Sequence, residues 1–195
     1  MIHRIFDEFV NVYLIERPEF LICVDAGIES TCDKIVEKVK EIGKPLKLII
    51  LTHYHFDHTG SLRCLKEKFP EAKVVAHEED SPSIEANTGV KVDVKVKGGE
   101  VIEGVRIFHM PGHTRGSICI LDEDSKSLFV GDLLMEKGGK LEEIPRQYSL
   151  DPEMNRQRIK ELLNIDFENL YPAHGNPVIG KAKERVKELV KRLGG

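Results

Sequence analysis

The chain has 195 residues, enough to bury one full core without disulfides or metals as staples. Lys+Arg 29 against Asp+Glu 33 gives a formal net charge of -4, which excludes the basic surplus of a nucleic-acid-binding surface, and no apolar run approaches the roughly 20 residues that span a bilayer. Charged residues make up 32% of the chain and are interspersed rather than blocked; with no Trp and only two Gln, Gln147 and Gln157, the composition is thermophile-like.

The opening "MIHRIFDEF" is charged and lacks the apolar core of a signal peptide, so a cytoplasmic protein is expected. "NVYLIERPEFLICVDAG" (11–27) reads as two β segments around a turn at Arg17-Pro18-Glu19. "STCDKIVEKVKEIG" (30–43) is a helix: Ser30 or Thr31 can cap it, Ile35, Val36, Val39 and Ile42 form one face, and Gly43 stops it. The apolar β-branched "LKLII" is a buried strand running into "LTHYHFDHTGSL", after which "SLRCLKEKF" is a helix closed by Pro70 and "AKVVAH" a short strand. From Val90 to Asp132 the pattern is β-rich, "VKVDVKV" alternating strictly and "VIEGVRIFHM" and "GSICILDEDSKSLFVGD" following. "DPEMNRQRIKELL" opens with an Asp-Pro helix start. "LYPAHG" is a short strand and loop, and "KAKERVKELVKRL" buries Ala182, Val186, Leu189, Val190 and Leu193 along one stripe, with Glu188 and Arg192 as a four-apart pair. No linker or repeat interrupts this order, which points to one layered α/β domain over 1–195. Cys23, Cys32, Cys64 and Cys119 show no CxxC spacing and read as buried or half-buried reduced thiols.

In "LTHYHFDHTGSL", His53, His55, Asp57 and His58 fall within six positions at the end of a buried strand. Imidazole is a poor choice for solubility and a good one for a divalent metal. Three further candidates share that setting: His113 in "MPGHTRGS", Asp132 in "LFVGDLL" and His174 in "LYPAHGNP", each beyond a strand end and beside a Gly that lets backbone approach closely. His53 and His55 face the same way on an extended backbone; Asp57 and His58 lie at the turn into the next helix. Five imidazoles and two carboxylates exceed the four ligands of a closed structural zinc, and suit two ions bridged by a carboxylate with a solvent position left open. His3, His77 and His109 read as satisfied structural histidines, and Tyr54 as packing. Asp25 in "VDAG" is either a hydrogen-bond partner of a metal histidine or a turn-stabilising carboxylate.

"THYHFDH", "PGHTRGS", "GD" and "PAHG", in that order and at these intervals, resemble the metallo-β-lactamase-fold metallo-hydrolases, in particular their glyoxalase II-like branch. The resemblance covers nearly the whole chain and implies a four-layer αβ/βα sandwich. It implies that His53, His55 and His113 hold a first metal, that Asp57, His58 and His174 hold a second, and that Asp132 bridges them. The ions are expected to be zinc, with iron or manganese also suited to N/O ligands. The implied reaction is hydrolysis by metal-bound hydroxide of a small ester or thioester, with Asp57 orienting the nucleophile and handling its proton. His55 stands where flavodiiron relatives carry Glu, and Asp132 where the commonest zinc β-lactamases carry Cys, so neither of those chemistries is expected.

The segment "LLMEKGGKLEEIPRQYSL" (133–150) is the expected substrate rim, with Arg146 and Tyr148 as candidates to meet an anionic group or an oxyanion. Glyoxalase II proper carries a Cys- and Arg-bearing loop where "EKGGK" stands, and a C-terminal helical region beyond it. A substrate smaller than a glutathione thioester is therefore expected. A lactonase or phosphodiesterase of the same fold is a neighbouring reading. A mononuclear iron persulfide dioxygenase held by His53, His113 and Asp132 is another, and a non-enzymatic metal-binding protein a third. The expected partner is a small molecule, with neither nucleic acid nor membrane; the sequence does not fix the oligomeric state.

Overall fold

Residues 1–195 are all described by the computed structural model, and they divide into two units, Met1–Val96 and Lys97–Gly195. In the first, β1 (Ile2–Asp7), β2 (Val10–Glu16) and β3 (Leu21–Val24) form an antiparallel meander; α1 (Thr31–Ile42), β4 (Leu46–Ile50), α2 (Phe56–Thr59), α3 (Leu62–Lys68), β5 (Lys73–His77), α4 (Ser81–Thr88) and β6 (Val94–Val96) follow. The six strands make one sheet in sequence order, β3 to β6 running parallel. Parallel strands need crossovers, and the apolar stripe of α1 supplies one, burying Ile35, Val36 and Val39 at about 1.5–3 kcal/mol each.

The meander around Arg17-Pro18-Glu19 agrees with the sequence reading, as does the left-handed Gly43 (φ 77) that ends α1. The cap does not. Neither Ser30 nor Thr31 caps the helix with its hydroxyl; both hydroxyls donate to Asp7 instead (2.8 and 3.0 Å), because that carboxylate is buried beside them and also meets Lys34. The Lys34 hydrogen bond holds Asp7 below the usual carboxylate range. The charged N-terminal stretch is a strand, and the alternation at Val90–Val96 yields only the three residues of β6.

The reading of four reduced thiols is corrected at two positions. Cys32 on α1 and Cys64 on α3 are joined in a disulfide, with Cα atoms 6.3 Å apart. The two helices pack together, which brings residues 32 apart in sequence within bridging reach. Cys23 and Cys119 are buried thiols whose pKa is driven upward by burial, as inert core residues should be.

The second unit contains β7 (Val101–Ile102), β8 (Val105–His109), β9 (Ile118–Asp122), β10 (Ser127–Gly131), the hairpin β11 (Leu134–Lys137) and β12 (Lys140–Glu143), α5 (Pro152–Glu161), β13 (Asn169–Pro172) and α6 (Ala182–Arg192). Its five-stranded sheet has the order β13-β10-β9-β8-β7 and is antiparallel except for the pair β10 and β13. Asp151 caps α5 by accepting from Met154 N (2.9 Å), and α6 buries Ala182, Val186, Leu189 and Val190 as its stripe predicts. Arg192 donates to the Leu141 carbonyl (2.6 Å), tying α6 to β12. No helix is long and apolar enough to cross a membrane.

Candidate metal centre

Strand direction places the candidate ligands within each unit. In the first, β3 and β4 are parallel, so their C-terminal ends lie side by side: Asp25 N donates to Ile50 O (2.8 Å), and the loop after β4 carries His53 and His55 into α2, which carries Asp57 and His58. His53 and His58 are 1% and 0% exposed, and their ring centroids are 4.0 Å apart; His55 meets His53 edge-on at 4.8 Å. Asp57 Oδ2 lies 3.5 Å from His58 Nε2. All four side chains thus gather at one strand end.

One buried carboxylate organises them. Asp25 accepts from His58 Nδ1 (2.8 Å), from Thr52 N (2.7 Å) and from the Thr52 hydroxyl (2.9 Å). The Thr52 oxygen is 3.1 Å from His53 Nδ1. A hydroxyl that donates to Asp25 can accept from the imidazole N–H, so Asp25 orients His58 directly and His53 through Thr52. Sequence left Asp25 open between a turn role and a histidine role, and it fills both: its φ is 65° and its backbone N–H bonds β4. The segment 26–28 then grips the far side of the loop, with Ala26 N donating to His58 O (2.8 Å), Gly60 N to Gly27 O (2.8 Å) and Ser61 Oγ to Ile28 O (2.5 Å). A Cβ on Gly60 would lie 2.7 Å from Glu29 N, so this approach requires glycine.

In the second unit, β10 and β13 are parallel, which sets Asp132 beside the His174 loop; β8, two strands from β10, delivers His113 at the same edge. The Asp132 carboxylate divides its oxygens: Oδ2 is 3.4 Å from His113 Nε2 and Oδ1 is 3.2 Å from His174 Nε2. Ser149 Oγ lies 3.2 Å from His113 Nδ1, and Leu150 N donates to His113 O (3.2 Å). Asn155 Nδ2 donates to Leu133 O (2.9 Å), tying α5 to the residue after Asp132. Glu136, 8% exposed, accepts from Gly139 N (2.5 Å) and Asn176 N (2.7 Å), while its own N–H donates to His174 O (3.0 Å). Within each unit, His and Asp side chains thus gather at strand ends, and their nitrogen and oxygen atoms are donors that divalent metals accept.

Of the two substrate candidates, Arg146 is paired with Glu153 at the start of α5, and Tyr148 is 63% exposed next to Ser149. His3, His77 and His109 have partners elsewhere: Glu16 (2.7 Å), Glu79 N (3.1 Å) and Arg115 O (2.8 Å). Tyr54 packs on the core of the first unit, as expected. Sequence reasoning missed Thr52, Ser149, Glu136 and Asn155. Only Thr52, adjacent to the histidine motif, offered a signal.

A family model described as the metallo-β-lactamase superfamily matches residues 5–174. The chain spans 64% and 50% of the length of two curated relatives it matches, the second a Synechococcus protein named hydroxyacylglutathione hydrolase, 34% identical over 133 residues that cover 65% of this chain. Among solved structures, an archaeal metallo-β-lactamase superfamily protein, ST1585 from Sulfolobus tokodaii, is 21% identical with a TM-score of 0.77 over 100% of this chain and 86% of its own. TTHA1623, solved in a di-iron-bound form, is 25% identical with a TM-score of 0.74 over 93% of this chain and 98% of its own.

Proposed function

The chain belongs to the metallo-β-lactamase superfamily, and from that premise we propose that it is a single-domain metallo-hydrolase whose two ligand sets serve one dinuclear centre acting on a small ester or thioester. The observation that carries this reading is the divided Asp132 carboxylate, one oxygen toward His113 and the other toward His174, as a bridging ligand requires. His53, His55 and His113 would hold one ion, and Asp57, His58 and His174 the other. The donors fit: they are imidazole nitrogens and carboxylate oxygens without thiolate, a set that suits zinc and equally accepts iron or manganese. The di-iron form of TTHA1623 supports iron as the second choice.

Divalent ions at such a centre supply Lewis-acid polarisation and bring the pKa of a bound water close to neutrality. The protein's own share is orientation and proton handling. Hydrogen bonds to Asp25, Thr52 and Ser149 engage Nδ1 of His58, His53 and His113, which leaves Nε2 of each as the nitrogen that would hold an ion. Asp57, 8% exposed, keeps one oxygen toward His58 Nε2 and can accept the proton of an attacking water with the other. Tyr148, exposed and adjacent in the chain to the Ser149 and Leu150 that meet His113, is the rim residue this reading favours; Arg146 is engaged by Glu153. The relative named hydroxyacylglutathione hydrolase supports the thioester class, and the short "EKGGK" hairpin supports a smaller substrate than glutathione carries.

Elemental mass spectrometry on protein purified without a metal-affinity tag tests this, with thioester, lactone and phosphodiester reporters on the same sample. About two ions per chain, and hydrolysis lowered 10²–10⁴-fold by Asp57→Asn, are expected. About one iron per chain, with no hydrolysis and oxygen consumed on adding a persulfide, refutes the hydrolase.

A further inference from the structure

The disulfide lies outside the ligand set, yet it closes the frame that holds the ligands. Cys32 sits in the first turn of α1, directly after the 26–30 segment; Cys64 sits in the first turn of α3, directly after Gly60 and Ser61. Between these segments run the bonds from Gly60 N to Gly27 O, from Ser61 N to Ala26 O (3.2 Å) and from Ser61 Oγ to Ile28 O. The bridge thus staples the Asp25 side of the His58 buttress to the Asp57-His58 side.

Its two sulfurs are unequal. Cys32 is 4% exposed, whereas Cys64 is half-buried and lines an open cleft of about 530 Å³ together with Phe56, Thr59 and Gly60 of the histidine loop. The cleft also presents Arg63 beside Glu29 and Glu67, both signs of charge within one opening. Cys32, second residue of a 12-residue helix, is packed in the core of the first unit, so an incoming thiol reaches Cys64 and Cys32 is the leaving sulfur.

We propose that Cys32–Cys64 is an exchangeable disulfide, opened by a small zwitterionic thiol entering the Cys64 cleft, and that its opening loosens the loop carrying Asp57 and His58. The incoming thiolate attacks Cys64 Sγ, forming a mixed disulfide as the Cys64–Cys32 bond breaks, and Cys32 leaves with the electron pair and takes up a proton. A second thiol attacks the sulfur of the bound thiol, releasing the small-molecule disulfide and Cys64 as a thiol. Two thiols are oxidised and one bridge is reduced. Cys64 is in this reading a modification site. The consequence for metal rests on His58 being a ligand; the exchange itself does not.

The test uses the metal-loaded wild-type chain in graded cysteine/cystine buffers, quenched with acid and mapped by mass, with metal affinity and melting temperature measured on the same samples. The bridge is expected to open while the protein stays folded, the cysteine adduct to map to Cys64, and the metal dissociation constant to rise about tenfold; Cys32→Ser/Cys64→Ser should match the reduced protein. Three results would each overturn the proposal. One is a bridge that resists excess cysteine until the chain unfolds, or that never forms in cystine. Another is an adduct on Cys32, and the third is unchanged metal affinity after opening. Because the adduct is read by mass alone, a chain that binds no metal in either redox form refutes the metal centre, while adduct position and yield still decide the exchange.

Discussion

Replacing Asp25 with Asn keeps the side chain's shape and changes which of its atoms accept hydrogen bonds. One amide oxygen can still accept from Thr52 N, now at 2.7 Å from the carboxylate. The amide NH₂ then faces His58 Nδ1, 2.8 Å from Asp25 Oδ2. Two donors cannot share that contact, so the imidazole moves its proton to Nε2, the nitrogen proposed to coordinate. A hydrogen bond to a charged acceptor contributes about 1.5–3 kcal/mol, and loss of a carboxylate behind a metal histidine costs about 10–100-fold in affinity, which is about 1.4–2.8 kcal/mol. The two routes agree on the size of the effect. Zinc titration of the metal-free Asp25→Asn protein should therefore show a dissociation constant raised by about 10–100-fold, and urea unfolding of the metal-free protein a loss of no more than about 3 kcal/mol. Asp25→Ala should lose both, because it strands Thr52 N, the Thr52 hydroxyl and His58 Nδ1 in a site 2% exposed. Unchanged zinc affinity in Asp25→Asn, alongside lowered stability, would reduce Asp25 to a turn-stabilising residue and sink the argument.

Gly60→Ala should destabilise by about 1–3 kcal/mol in thermal or urea unfolding, since its Cβ meets backbone atoms of Ile28 and Glu29 at 2.7–2.8 Å and backbone yields little; an unchanged melting temperature would show that the loop is loose. Glu136→Ala strands Gly139 N and Asn176 N and should cost about 1–3 kcal/mol and, at the proposed centre, lower the metal content; full metal content in the folded variant counts against this anchoring role. Glu16 is held down to about 2 by its hydrogen bond to Lys44 and then by His3, against an ordinary value of 4.5. A lowered carboxylate pKa stabilises the fold above the ordinary value, and that stability is lost as pH falls toward the folded one. The stability gap between wild type and Glu16→Gln should thus be constant above pH 4.5 and close between 4.5 and 2, and a gap independent of pH would contradict the pairing.

What the sequence disclosed divides by range. The histidine loop was legible because three His and one Asp fall within six residues, and His113, Asp132 and His174 because each follows an apolar strand and sits beside Gly. Helices α1, α5 and α6 were legible from their stripes or caps, whereas α4 buries only Ser81, Ile84 and Thr88 and carries no periodic signal. The supporting shell was not. Ser149 meets His113 from 36 residues away, Glu136 meets Asn176 from 40, and His58 lies 33 beyond Asp25. A Ser or Glu in a loop carries no mark of a partner that distant, and two Cys separated by 32 residues carry none of a bridge. The Ser30 cap failed for the same reason: Asp7, 23 residues earlier, competed for its hydroxyl.

The β11–β12 hairpin pairs only with itself, and both its strands are tied to the rest of its unit: Glu136 meets His174 and Asn176, Gly139 O accepts from Arg185, Leu141 O accepts from Arg192 and Glu143 pairs with Arg156. Its tip is Gly138-Gly139, at positive φ and with open space around both. Such a ribbon can be lengthened, shortened or exchanged at the tip while the Asp132 and His174 positions keep their supports. A library confined to 137–140 would test whether the tip sets what the chain recognises, because the Glu136 contacts to His174 and Asn176 lie outside it.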